Sequence, residues 1–183
     1  MPVTVRKAVV DDAWAVAAAH ARCWQETYAQ LLPADLLQAV TVEGRHAARV
    51  RVLSDPTIKS FVACRTAVGD VIGFADCGPL RNAARCVSGE IYALYVLADH
   101  HGQGIGFGLF AACIREFLGR GFTSMKLSVL VDNRKARRFY EMTGGRYEST
   151  TISRRGETYL EEAIYGWASA AMARLGRGEG ANR

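Results

Sequence analysis

The stretch from Glu90 to Leu118 constrains this chain most tightly. Residues 90–96 read Glu-Ile-Tyr-Ala-Leu-Tyr-Val, an alternating run of aromatic and aliphatic side chains, and predict a strand. A glycine-dense loop follows, with His101, Gly102, Gln103, Gly104, Ile105, Gly106, Phe107 and Gly108 in succession. Over 107–118 apolar residues recur at Leu109, Cys113 and Phe117, with a parallel row at Phe110, Ile114 and Leu118. That i, i+4 spacing predicts a well-buried helix. A strand, a glycine loop and a helix start in series make an anion-binding device. The first helical turn has unpaired N–H groups and a partial positive charge, and glycines let a phosphate approach the backbone.

The glycine spacing excludes the two commonest nucleotide sites. A dinucleotide fingerprint needs a third glycine where this chain has Leu109, and a P-loop needs a lysine that the loop lacks. Taken alone, the loop also fits a tight turn ahead of a packed helix.

A second constellation decides the matter. Residues 126–131 form another alternating strand, followed by Asp132, Asn133, Ala136, Phe139, Tyr140 and the pair Gly144-Gly145. Asn133 suits a helix N-cap, Ala136, Phe139 and Tyr140 share a face, and the glycine pair suits the helix end. Together the two segments resemble the GNAT superfamily of acyl-CoA-dependent N-acyltransferases. There a loop R/Q-x-x-G-x-G/A grips the coenzyme A pyrophosphate, and an N-x-x-A-x-x-F-Y helix flanks the pantetheine arm and brings a tyrosine near the thioester sulfur. Gly102 to Phe107 match the loop, with His101 in place of arginine or glutamine. Asn133, Ala136, Phe139 and Tyr140 match the helix at every position, and the resemblance spans residues 3–166.

The resemblance implies an α+β fold: a mixed, mostly antiparallel sheet with helices on both faces, in the order β-α-α-α-β-β-β-α-β-α-β-β. It also implies that two central strands splay apart, the ones holding Leu94-Tyr95-Val96 and Leu127-Ser128-Val129. The exposed main chain of Leu94, Tyr95 and Val96 would then pair with the pantetheine amides like an added strand. The expected cofactor contacts are these three, His101 through Phe107 including Gln103 and Ile105, and Asn133, Ala136 and Phe139. Acetyl-CoA is the expected co-substrate, with no metal.

Length and composition agree with one domain over 1–168, followed by a flexible tail at 169–183. A chain of 183 residues with 50% hydrophobic and 22% charged content can bury a single sizeable core. No apolar run is long enough to span a membrane, and the first twenty or so residues lack a signal-peptide pattern. Cys23, Cys64, Cys77, Cys86 and Cys113 are scattered without C-x-x-C spacing, which suits a reducing cytoplasm better than a metal site or disulfide framework. The formal charge of +5 fits either a solvated surface or a basic rim, with Lys135, Arg137, Arg138, Arg154 and Arg155 near the phosphates of coenzyme A. No basic run is interleaved with aromatics, so nucleic acid is not expected as a partner.

Along the rest of the chain, 3–7 reads as a strand, Asp11-Asp12 cap a helix to about Tyr28, and Pro33 opens a short helix to Val40. Residues 41–53 form a polar third helix. Trp14, Ala17, Ala18, Ala21 and Trp24 are the expected buried face of the first helix. Residues 60–66 and 71–78 form strands turning at Gly69-Asp70, and 146–152 with 158–166 form a terminal hairpin. Its apolar end, Ile164-Tyr165-Gly166-Trp167, suits pairing in a homodimer.

The chemistry implied is attack of a neutral amine on a thioester, through a tetrahedral oxyanion, with protonation of the departing thiolate. Tyr140 is the expected general acid. Some relatives carry a glutamate five residues before the motif asparagine, but here that position is Ser128. Glu90 is the substitute base, read by period-2 alternation as sharing a face with Tyr92 and Leu94, and Asp76 ranks behind it. His100 and His101 read as loop residues near phosphate. Trp24 and Tyr28, with Leu31-Leu32-Pro33, are the expected roof of the amine acceptor site, although their i, i+4 spacing equally suits core. A non-catalytic acyl-CoA-binding sensor and a nucleotide-binding regulatory domain are the rival functions.

Overall fold

In the computed structural model, residues 3–65, 70–81 and 88–179 are described. Strand β1 (Thr4–Lys7) leads through a 3-10 turn into α1 (Ala13–Tyr28), α2 (Ala34–Gln38) and α3 (Val42–Ser54). Strands β2 (Lys59–Cys64), β3 (Val71–Pro79) and β4 (Ser88–Val96) precede α4 (Ile105–Gly119), β5 (Ser124–Leu130) and α5 (Arg134–Met142). The chain continues through β6 (Arg146–Arg155) and β7 (Thr158–Ala168) into α6 (Ser169–Gly176). The expected Gly69-Asp70 turn and Cys86 involve positions outside the described residues; Cys23, Cys64, Cys77 and Cys113 are buried free thiols.

The strands form one sheet in the order β1-β2-β3-β4-β5-β7-β6, and every neighbouring pair is antiparallel except β4–β5. This is the mixed, mostly antiparallel sheet expected. Helix α4 lies on one face. Leu109, Phe110, Cys113, Ile114 and Phe117 are all fully buried against Ile72, Met125, Leu127 and Tyr165. Truncating one of these phenylalanines to alanine would cost about 3–5 kcal/mol through lost burial and the cavity left behind. The packing is tight enough to fix Gly89, where an added Cβ would sit 2.5 Å from the Phe117 ring.

On the other face α1 packs through Val16 and Ala19 against Val62, Cys64, Val71 and Phe74. The expected apolar face holds in part, with Ala17 and Ala21 buried. Trp14 is exposed and sits edge-on to His46 of α3, while His20 and Cys23 take buried positions. The small alanines bury on several sides of the helix, so they did not mark a direction. Asp12 stands at the N-cap of α1, but its side chain makes no capping bond there. Its carboxylate accepts from the Val9 N–H and pairs with Arg6 at 2.7 Å, tying down the turn before the helix.

The region expected as a tail from residue 169 opens with α6 instead. Met172 and Leu175, three positions apart, are buried, and the helix packs on α4. An added Cβ at Gly176 would meet Leu118 at 2.8 Å.

Strands β4 and β5 pair only where Ser88, Gly89 and Glu90 face Ser124, Met125 and Lys126. Beyond that point β4 stays bonded to β3 and β5 to β7, so the two central strands diverge. The functional cleft lies in that split.

Candidate active site

The cleft has a volume of about 950 Å³. Its walls are residues 91–96 of β4 and Leu127, Ser128 and Val129 of β5, closed at one end by the β4–α4 loop and α5. Because β4 has lost its β5 partner after Glu90, the main chain around Leu94, Tyr95 and Val96 presents an unpaired strand edge to the cavity.

At the loop end the backbone supplies the chemistry. Gly102 and Gly104 both have positive φ, 76° and 75°, and Gly104 is the N-cap of α4. No side chain caps this helix, and its first intrahelical bond in that turn runs from the Gly108 N–H to the Gly104 carbonyl. The amides of Ile105, Gly106 and Phe107 therefore carry no helical partner. Nothing lies within 4 Å of where a Cβ would stand on Gly102 or Gly104, and the space over them belongs to the cleft. Gln103 turns away, donating from Nε2 to the Asp99 carbonyl at 3.2 Å.

His101 joins this loop to α5. Its Nδ1 lies 2.6 Å from Lys135 Nζ and its Nε2 lies 2.8 Å from the Val96 carbonyl. An ammonium only donates, so Nδ1 accepts and Nε2–H donates to Val96, which defines the neutral Nε2–H tautomer. The interaction holds Lys135 at the loop end of the cleft. The other expected rim cations lie elsewhere. Arg137 is committed to the Tyr165 hydroxyl and the Val131 carbonyl, both at 3.1 Å, and Arg154 pairs with Glu157. Arg155, on the β6–β7 turn, acts electrostatically on Tyr28 and Arg45 at the opposite end.

Helix α5 begins as the sequence implied. The Asn133 side chain accepts from the Ala136 N–H at 3.1 Å, and Asn133, Ala136, Phe139 and Tyr140 all border the cavity. Gly144, at φ 83°, follows the helix, and Gly145 leaves room for the Trp167 ring, 2.4 Å from a would-be Cβ. Phe139 and Tyr140 pack around Phe110, which fixes the Tyr140 ring. The Tyr140 hydroxyl has no hydrogen-bond partner among the described residues, and burial drives its pKa well above the usual phenolic value.

Glu90 sits differently from its expected place. The β3–β4 register skips Tyr92, a β-bulge that pairs Asp76 with Ala93 but Cys77 with Ile91. The extra residue reverses the alternation. Leu94 packs with the α4-side core, so Glu90 shares the α1 face with Ala93 and Tyr95 and not with Leu94. Its carboxylate is buried and accepts from the Arg81 N–H at 3.0 Å and from the Arg81 guanidinium, and Glu90 does not border the cavity, whereas Ile91 and Tyr92 do. Asp76 is also committed, pairing with Arg49 at 2.6 Å and accepting from Ser60 Oγ at 2.5 Å.

At the α1 end Tyr28 borders the cavity, and its hydroxyl lies 3.2 Å from that of Tyr95. Trp24 does not border it. The indole stands behind Tyr28, with ring centroids 4.6 Å apart, and carries the Arg45 guanidinium 5.5 Å above it. His20 is stacked on Tyr95 at 5.2 Å, and its pKa is pushed down to about 3 by burial first and by Arg45 and Arg49 next. Sequence reading missed Tyr92, Lys135's bond to His101, and Arg174 and Glu179 near α6, all of which border the cavity. The alternation of β4 offered a signal for Tyr92; residues beyond 168 offered none.

Among the described residues no cluster of histidine, cysteine and carboxylate side chains could hold a metal, and no helix is long and apolar enough to cross a membrane. The sequence model of the Acetyltransferase (GNAT) family matches residues 14–144. YuaI of Bacillus subtilis (strain 168), an uncharacterized N-acetyltransferase, is 32% identical over 134 residues, covering 72% of this chain and 73% of its own. The fold is similar to that of the PaiA N-acetyltransferase of Thermoplasma acidophilum in complex with coenzyme A, with a TM-score of 0.67 at 21% identity over 88% of this chain and 98% of that one. It is also similar to yncA of Salmonella typhimurium with its cofactor acetyl-CoA, with a TM-score of 0.70 at 20% identity over 92% and 95%. A bare helix start and a split sheet are what this kinship accounts for, and the chain belongs to the GNAT family of acetyltransferases.

Proposed function

We propose that this enzyme moves the acetyl group of acetyl-CoA to a primary amine by direct attack, with Tyr140 as general acid. The observation that carries the reading is the alignment of three features along one cleft: open amides at residues 105–107, an unpaired β4 edge, and the Tyr140 ring. The amides of Ile105, Gly106 and Phe107, with Lys135 beside them, would hold the pyrophosphate. The β4 edge at Leu94, Tyr95 and Val96 would align the pantetheine arm, with Asn133, Ala136 and Phe139 on its other side.

In the transfer, the amine nitrogen bonds to the thioester carbonyl carbon and the C–S bond breaks. The Tyr140 hydroxyl gives its proton to the departing sulfur and is reprotonated from solvent. Burial keeps the phenol protonated throughout the neutral range, so the resting form is the proton donor. The two protons that the nitrogen loses pass to water in the cleft, and Glu90, held by Arg81 behind the cavity-bordering Ile91, would take one only through such water. The chemistry as written asks for no metal. The run Ile164-Tyr165-Gly166-Trp167 lies on the interior strand β7 with Tyr165 and Trp167 buried. Pairing as a homodimer would rest instead on the edge strand β6 and the exposed Tyr147, Ile152 and Tyr159 of the β6–β7 hairpin; a monomeric mass by light scattering would count against it.

Thiol release from acetyl-CoA across a panel of amines tests the reading. Amine-dependent release is expected; tight cofactor binding with no release from any amine would favour the sensor. Glu90→Gln should move the pH–rate profile upward toward the free amine's own pKa, and an unmoved profile would remove Glu90 from the mechanism.

A further inference from the structure

The seven tyrosines of this chain divide by what holds their hydroxyls. Tyr92 donates to the Pro79 carbonyl, Tyr165 donates to Glu141 at 2.7 Å, and Tyr147 pairs with Thr150 at 2.9 Å. Tyr159 is exposed. The remaining ones, Tyr28, Tyr95 and Tyr140, all border the cleft. Tyr140 already has a role. Tyr28 and Tyr95 meet hydroxyl to hydroxyl, at 3.2 Å.

That bond leaves the pair incomplete. A hydroxyl carries one donor proton and two acceptor lone pairs, and a single bond between two hydroxyls uses one proton and one lone pair. Among the described residues neither oxygen makes another hydrogen bond, so one O–H and most of the lone pairs stay open. Partly desolvated hydroxyls with unused capacity are costly, and a ligand that completes them relieves the cost. The rings are held in place: Tyr95 stacks on His20 at 5.2 Å and on Phe74 at 5.5 Å, and Tyr28 stands edge-on to Trp24 at 4.6 Å. Burial raises the pKa of both phenols, so both oxygens stay neutral.

The carboxylates that border the cleft are already engaged. Glu26 accepts from Arg22 at 2.6 Å and from the Ala98 N–H at 2.8 Å, and Glu179 accepts from Arg177 at 2.8 Å. A second ammonium on the acceptor would therefore enter without a free counter-charge among the described residues that border the cleft.

We propose that the Tyr28–Tyr95 hydroxyl pair binds the nitrogen of the acceptor, and that the substrate class is monoamines on an apolar or aromatic body and not polyamines. One amine N–H is donated to a hydroxyl oxygen of the pair, which leaves the nitrogen lone pair for the thioester carbon; no proton is transferred at this contact. Ile91, Ala93 and Leu94 of β4 border the same cleft and offer the body of the amine an apolar wall. The proposal rests on the transferase reading and narrows it.

The test reads thiol release at saturating acetyl-CoA for butylamine, phenethylamine and putrescine, in the parent and in Tyr28→Phe and Tyr95→Phe. Butylamine or phenethylamine should exceed putrescine about tenfold or more in kcat/KM. Each variant should raise the amine KM about five- to tenfold, the scale of one hydrogen bond, with acetyl-CoA affinity unchanged. A purely structural role would move both together. Tyr28→Phe keeps its ring on Trp24 and carries the test by itself if Tyr95→Phe unfolds the protein. Putrescine used as well as butylamine overturns the substrate class, and an unmoved amine KM overturns the pair; both leave acetyl transfer standing. Calorimetry of butylamine on the coenzyme A-bound enzyme separates the readings. Tyr28-dependent binding without thiol release upholds the site and defeats the transferase reading, and neither binding nor release overturns the proposal.

Discussion

At the α4 end of the cleft the groups offered to a ligand are main-chain amides behind Gly102 and Gly104, while at the α1 end they are the side chains of Tyr28 and Tyr95. The first end is made from one continuous piece of chain and an adjoining helix. The second is assembled from α1 and β4, which are far apart in sequence. A backbone site fixes where glycines must stand and so leaves a spacing behind. A side-chain site fixes only what meets in space.

The largest effect that would break this comparison is at Gly104. Valine there would force a β-branched residue to φ 75° and put a Cβ into the space over the loop. Left-handed backbone alone costs about 1–2 kcal/mol, and the aim of the amides is lost as well. Acetyl-CoA affinity by calorimetry should fall at least about a hundredfold with the thermal transition little changed. Affinity within a few-fold of the parent would mean that side chains do the gripping.

The next effect belongs to the α1 end and is read as stability. His20 is neutral in the folded protein with a pKa of about 3, against about 6.5 when unfolded. Its contribution is whole above pH ~6.5 and is lost as the pH falls toward ~3, because the unfolded chain binds the proton first; at the bottom of that window the loss is of the order of a few kcal/mol. Comparing denaturation of the parent and His20→Leu between pH 7 and 4 should show a shallower acid loss in the variant. Parallel curves would show that His20 is not held neutral.

A smaller effect sharpens the loop end. Lys135 adds one ammonium beside otherwise main-chain contacts, bonded to His101 at 2.6 Å. Lys135→Met should weaken acetyl-CoA binding about tenfold at low salt, with the gap closing as ionic strength rises. A gap unaffected by salt would make the lysine a packing element.

What could be read in the sequence follows the same division. The succession of elements, the buried face of α4, the Asn133 cap and the offset of Tyr140 all rest on periodicity or fixed spacing, which survive in a linear string, while the mixed sheet was implied by the family resemblance. The face occupied by Glu90 did not, because a bulge at Tyr92 reverses the alternation and bulges carry no residue signature here. Trp24 was expected at the acceptor roof from the family resemblance while its helical spacing equally suited core, and the structure puts Tyr28 at the cavity in front of it. Helix α6 escaped notice because two buried anchors, Met172 and Leu175, are too few to show a period. The pairing of Asp76 with Arg49 and of Glu90 with Arg81 was invisible, since pairing is a property of neighbours across the fold.

The central claim is that the backbone holds the cofactor while Tyr140 performs the proton transfer, and Tyr140→Phe measured for turnover and for acetyl-CoA affinity on one preparation tests it most directly. Removing the hydroxyl keeps the ring against Phe110, so packing and binding should stay within about threefold of the parent. Turnover should drop by about 10²–10⁴-fold, the range of general acid assistance, because the hydroxyl acts only as the C–S bond breaks. Turnover within about threefold, under ~0.7 kcal/mol of barrier, would contradict the claim and leave Tyr140 a buried aromatic of the core.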